Sequence, residues 1–113
     1  MLMLGRKYTI YKVECRSNGR VYIGRTENFQ RRKQSHLTAL RSNRHPNEEM
    51  QNDFLKYGEK NFAVSALCQV IRGFRGDVNS DGKVEKLWMD YFKSYDRQFG
   101  YNYKDPKYRG LWK

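Results

Sequence analysis

Between Arg20 and Arg44 the chain places seven cations, Arg20, Arg25, Arg31, Arg32, Lys33, Arg41 and Arg44, against a single acid, Glu27. A guanidinium offers a planar fork of donors that matches two oxygens of a phosphate, a fit that an ammonium does not copy, so an arginine-rich stretch of this kind reads as a phosphate-binding surface. Arg32 and His36 lie one helical turn apart and share a side. Two tyrosines, Tyr11 and Tyr22, sit in neighbouring strand-like runs, and Glu85 lies on the most regularly patterned helix of the sequence. The whole chain carries 23 Lys and Arg against 12 Asp and Glu, a net charge of +11 with a pI near 9.8. Such a charge attracts polyanions: nucleic acid, an anionic membrane surface or an acidic protein.

Other chemistries fit less well. Cys15 and Cys68 lack a Cys-x-x-Cys spacing and read as free thiols, and with His36 and His45 they do not make a finger-like zinc set. Asp77-Val78-Asn79-Ser80-Asp81-Gly82 imitates the first half of a calcium-binding loop, but Trp88 stands where the closing bidentate Glu belongs. No apolar run approaches the roughly 18 residues of a membrane span, and the start, Met1 to Lys7, is too short and too soon charged for a signal peptide. The expectation is a soluble, cytoplasmic protein without a membrane partner.

These residues need a scaffold. Tyr8-Thr9-Ile10-Tyr11-Lys12-Val13 and Val21-Tyr22-Ile23 are strand-like, and Asn18-Gly19 between them is a hairpin signal. Counting outward from a two-residue turn, at either of two adjacent positions, puts Tyr11 and Tyr22 on one face of the hairpin. Asn28 can cap a helix running to about Ser42, with Phe29, Lys33, His36, Leu37 and Leu40 as its stripe. Pro46 ends the next loop, Asn47 can cap a second helix carrying Met50, Phe54 and Tyr57, and Gly58 suits its stop. Residues 61–71 read as a third strand with partial alternation, and 72–82 as a Gly- and Asx-rich loop. From about Lys83 to Tyr95, Val84, Leu87, Trp88, Tyr91, Phe92 and Tyr95 trace the best helical periodicity in the chain. That face centres between Val84 and Tyr91, with Glu85 at its rim. The pattern predicts one small α/β (α+β) domain.

Thr9-Ile10-Tyr11, then Tyr22-Ile23-Gly24, then Thr26 to His36 resemble the GIY-YIG endonucleases. The order continues through His45-Pro46-Asn47, Asp53-Phe54-Leu55-Lys56-Tyr57-Gly58, Glu85-Lys86-Leu87-Trp88-Met89 and Gly100-Tyr101-Asn102. The likeness spans residues 8–103 and is greatest to the nuclease domains of phage homing endonucleases. Thr9 stands in place of the first motif's glycine and Met89 in place of the usual isoleucine.

The resemblance implies a central three-stranded antiparallel sheet flanked by about three helices, and DNA cleavage with one divalent ion, Mg²⁺ or Mn²⁺. Carried over residue by residue, Tyr11 takes the proton of the attacking water and Tyr22 positions or relays it. Arg32 stabilises the pentacovalent phosphate, His36 supports the tyrosine site, and Glu85 holds the metal. Asn102 supports the site structurally, as does Gly24 of the second motif. Arg25, Arg31, Lys33, Arg41, Arg44 and His45 are the expected DNA contacts. Nearby cations are expected to bias a catalytic tyrosine toward phenolate. Residues 1–103 form the expected nuclease domain and 104–113 a basic, aromatic tail, which either adds contacts to nucleic acid or buries Trp112 against the fold. A monomer or a transient dimer on DNA is expected. The rival reading from another class is a non-catalytic nucleic-acid-binding module on the same scaffold.

Overall fold

The aromatic and β-branched run Lys7–Cys15 forms β1, which pairs antiparallel with β2 (Val21–Thr26) on one side and β3 (Phe62–Ile71) on the other. The sheet order is β2–β1–β3. The computed structural model describes residues 7–71 and 80–103, with Ser80 and Asp81 by their backbone alone. The start of the calcium-loop imitation and the 104–113 tail therefore lie outside the described residues. Three helices accompany the sheet, α1 (Phe29–Arg41), α2 (Glu48–Tyr57) and α3 (Ser80–Phe92), with a single 3-10 turn at Glu59–Asn61. This is the expected three-stranded α+β architecture.

The hairpin differs in detail from the two-residue turn. Its loop is Arg16–Gly19, closed by the Cys15 amide on the Arg20 carbonyl at 2.9 Å and the Gly19 amide on the Cys15 carbonyl at 2.8 Å. Gly19 alone in this loop takes a positive φ, +76°. Asn18 contributes its side chain instead, accepting from the Arg20 amide and donating to Asp53, each at 2.9 Å. Parity survives the longer loop. Val13 faces Tyr22 and Tyr11 faces Gly24, so both tyrosines stand on one face.

As the middle strand, β1 is buried on both sides. Tyr11, Val13 and Cys15 join Leu40, Met50, Phe54, Phe62, Val64 and Tyr101 in one core under α1 and α2. Ile10 joins Val21 and Ile23 in a second core, against which Val84, Trp88, Met89 and Phe92 of α3 pack. The ladder between β1 and β3 shifts register beside Tyr11: Ile10 faces Cys68 but Tyr11 faces Ala66. Leu67 is the extra residue of a β-bulge, and one extra residue reverses which face every later side chain takes. Phe62 and Val64 therefore feed the first core while Cys68 and Val70 feed the second. The partial alternation of this strand has its cause here.

Caps form where Asn residues stand. The Asn28 side chain accepts from the Arg31 amide, and Asn47 accepts from the Met50 amide at 3.0 Å. α3 begins at Ser80, earlier than expected, and stops at Phe92. It is also turned about its axis. Leu87 and Tyr91, expected at or beside the centre of the buried face, are 66% and 75% exposed. At 100° per residue the packed side chains Val84, Trp88, Phe92, Glu85 and Met89 centre about 80° away from the expected direction. The turn carries Glu85 off the rim into the buried face.

Past α3 the chain returns to the free edge of β2. The Val21 amide donates to the Phe99 carbonyl at 3.1 Å and the Tyr101 amide to the Val21 carbonyl at 3.0 Å, as a short parallel pairing. Asn102 continues that ladder with its side chain, accepting from the Ile23 amide at 2.8 Å and donating to the Ile23 carbonyl at 2.9 Å. An amide side chain here does what the next peptide of a strand would do. Gly100 is tight against this path, since a Cβ there would lie 2.1 Å from the Ser94 carbonyl oxygen.

Candidate active site

Tyr11 points from the central strand across Gly24 of β2. A Cβ on residue 24 would lie 2.5 Å from both the phenol oxygen and its ring carbon, so only glycine leaves room for this side chain. The phenol is fully buried and surrounded by Tyr22 and Phe29, with ring centroids at 6.3 and 6.1 Å. Its oxygen lies 2.8 Å from His36 Nε2. His36 faces inward from α1, fully buried, with its ring edge-on to both tyrosines. Arg32, one turn earlier, comes within hydrogen-bonding reach of the same phenol.

His45 is placed differently from the expected DNA contact. It is 7% exposed, stacked beside His36, with Nε2 2.8 Å from His36 Nδ1 and Nδ1 accepting the Asn47 amide at 3.0 Å. Pro46 and the Asn47 cap fold the loop back so that the imidazole faces the core instead of a ligand. Gln51 secures that loop, accepting from the His45 amide and donating to the Leu40 carbonyl, both at 3.0 Å. Sequence reasoning missed Gln51; its signal was a polar residue beside Met50 and one turn before Phe54, on the buried side of α2.

Glu85 is 8% exposed, and its carboxylate lies 3.7 Å from the guanidinium of Arg25. Its charge reaches Tyr11, where it disfavours the phenolate. Tyr11, Tyr22 and His36 thus meet ring to ring, and Arg32 and Glu85 act electrostatically on the Tyr11 phenol. Of the expected DNA contacts, Arg31 and Arg44 are exposed and Lys33 is half-buried. Arg41 instead engages Glu59 with both arms, Nε to Oε1 at 2.9 Å and a terminal nitrogen to Oε2 at 2.6 Å. Arg20 leaves the basic face as well. It contacts Asp53 at 3.1 Å, binds Glu49, and covers the Tyr101 ring at 4.4 Å. Asp53 also accepts from the Tyr101 hydroxyl at 2.6 Å.

Burial, then Tyr22, pushes the Tyr11 phenol far above its ordinary pKa, and Arg32 offsets only part of this. The resting side chain is a neutral phenol, not a phenolate. Burial drives His36 down to about 2, helped by His45 and Arg32, and drives His45 down to about 4. Both imidazoles are neutral at pH 7.

Among the described residues no group of three or more His, Cys, Asp or Glu gathers as a metal cage. Glu85 alone still fits a hard cation that keeps most of its water and takes phosphate oxygens as further ligands. No helix among the described residues is long and apolar enough to cross a membrane.

Two solved structures superpose closely. The catalytic domain of homing endonuclease I-TevI gives a TM-score of 0.69 at 25% identity, covering 91% of this chain and 100% of that one. A variant of the catalytic domain of intron endonuclease I-TevI gives 0.70 at 26% identity, covering 88% and 95%. The fold is that of an endonuclease catalytic domain. The GIY-YIG catalytic domain model matches residues 7–102, and the chain belongs to the GIY-YIG family of DNA endonucleases. Nucleases of this family are generally dependent on a divalent metal. No curated protein sequence matches the chain.

Proposed function

We propose that this protein hydrolyses DNA phosphodiester bonds at the site formed by Tyr11, Arg32 and Glu85, with one Mg²⁺ or Mn²⁺ held by Glu85, as a homing or free-standing nuclease of phage type. The observation that carries this reading is the Tyr11 phenol, seated over Gly24 within reach of His36, Arg32 and the charge of Glu85. Glu85 would hold the cation, which when bound would supply Lewis-acid charge to the phosphate. Arg32 donates to the non-bridging oxygens where negative charge grows in the transition state. Tyr11 gives its phenol proton to solvent water and as phenolate accepts the proton of the attacking water, which Tyr22 positions, while the departing oxygen takes a proton from solvent water. Arg31, Lys33 and Arg44 hold the DNA backbone, with Arg25 beside the carboxylate. One site of this kind cuts one strand per visit, so a monomer nicks DNA and a double-strand break takes a second visit or a transient dimer.

Supercoiled plasmid with about 5 mM Mg²⁺ tests the proposal, a range suited to a weakly held hard cation. The protein is expected to nick the plasmid, and Glu85→Gln and Arg32→Ala to cut at least about 100-fold more slowly while still folding and binding DNA. Salt-sensitive binding by the folded parent without cleavage on varied substrates overturns the proposal in favour of a DNA-binding module.

A further inference from the structure

The Asn47 amide is a backbone N–H and has only one role, that of donor. His45 Nδ1, 3.0 Å from it, must therefore be the unprotonated nitrogen, which puts the proton of the neutral ring on Nε2. That Nε2–H faces His36 Nδ1 at 2.8 Å, so His36 Nδ1 must accept and His36 must carry its own proton on Nε2. His36 Nε2 then faces the Tyr11 oxygen at 2.8 Å as a donor. From these three contacts we infer that His45 is a positioning residue: with the Asn47 amide it fixes His36 as a hydrogen-bond donor to Tyr11, so that His36 steadies a Tyr11 oxyanion and does not take the Tyr11 proton.

The consequence is directional. With His36 on the phenol oxygen as a donor, the Tyr11 hydroxyl hydrogen is turned away from His36. Loss of that proton leaves an oxygen already held by the N–H of an uncharged ring. Without His45, His36 is free to adopt the other tautomer, accept from Tyr11 and turn the phenol hydrogen inward. This role rests on the proposed nuclease activity, but the tautomers do not.

The chain holds two histidines, so an imidazole ¹⁵N spectrum of the whole protein is assigned by one variant. Both rings are expected to carry the proton on Nε2, with Nδ1 bare, across about pH 6 to 8. An Nδ1–H form of His36, or a mixture of tautomers, overturns the assignment. In plasmid cleavage His45→Ala is expected to lower kcat about tenfold, the rate equivalent of one hydrogen bond, with KM for DNA unchanged. His45→Gln keeps an N–H at similar reach and is expected to restore most of kcat and the His36 tautomer. A rise in KM with kcat unchanged, as for a lost surface contact to DNA, overturns the positioning role. If the parent does not cleave, the nuclease reading fails while the ¹⁵N spectrum still decides the hydrogen-bond direction.

Discussion

Gly24 has its φ in the ordinary negative or extended range, so its side-chain-free state is required by space alone. Gly24→Ala is expected to leave the strand paired but to force the Tyr11 phenol out of its seat. A displacement of about 1 Å at a reacting group costs on the order of 100-fold in rate, so cleavage should fall by that factor while circular dichroism stays that of the parent. The buried histidines make a second residue-scale prediction. Their folded pKa values, about 2 and about 4, lie below the ordinary 6.5, so the unfolded chain binds protons that the folded chain refuses. Their effect is absent above pH 6.5 and grows as pH falls, through about 4 for His45 and toward 2 for His36. Protonation of the pair lowers the stability of the folded chain progressively below pH 6.5. Urea midpoints should therefore drop between pH 6.5 and 4.5, and His45→Gln should flatten that slope.

At the scale of elements, the sheet edge at β2 is closed by one side chain. Asn102→Ala removes two buried hydrogen bonds and leaves the Ile23 amide and carbonyl unmatched, at a cost of about 2 to 4 kcal/mol. A fall of the thermal midpoint with intact residual folding is the expected outcome, and Asn102→Ala at parent stability would refute the ladder role. Much of this level was legible in the sequence. Alternation placed Tyr11 and Tyr22 on one face, and Asn28 and Asn47 marked two helix starts, because caps and strand parity are local. The rotation of α3 was not legible, since Leu87 and Tyr91 obey helical spacing as well as the residues that pack, and only tertiary contact chooses among neighbouring stripes. The bulge at Leu67 was hidden for the same reason: it is an agreement between two strands far apart in the chain. Paired charges escaped as well. Arg20 and Arg41 look like their neighbours until Asp53, Glu49 and Glu59 arrive from α2 and the turn that follows it.

For the whole molecule, the net charge of +11 makes DNA affinity fall with salt, but the individual cations do not share the work equally. Each phosphate contact contributes about 0.9 to the slope of log K against log salt. Arg31→Ala and Arg44→Ala are each expected to lower that slope by about 1, and Arg41→Ala by less than half as much, because its fork is already occupied by Glu59. Titrations of fluorescent duplex at several salt concentrations read this directly. The closing of β2 by residues 99–102 has a different kind of consequence, one of timing. Tyr11 is synthesised well before Gly100, Tyr101 and Asn102, which close the edge of the strand that carries its glycine seat. A nascent chain that still has this segment inside the ribosome has β2 open along that edge. The hairpin that carries Tyr11 and Gly24 therefore reaches its closed form only after translation has passed residue 102.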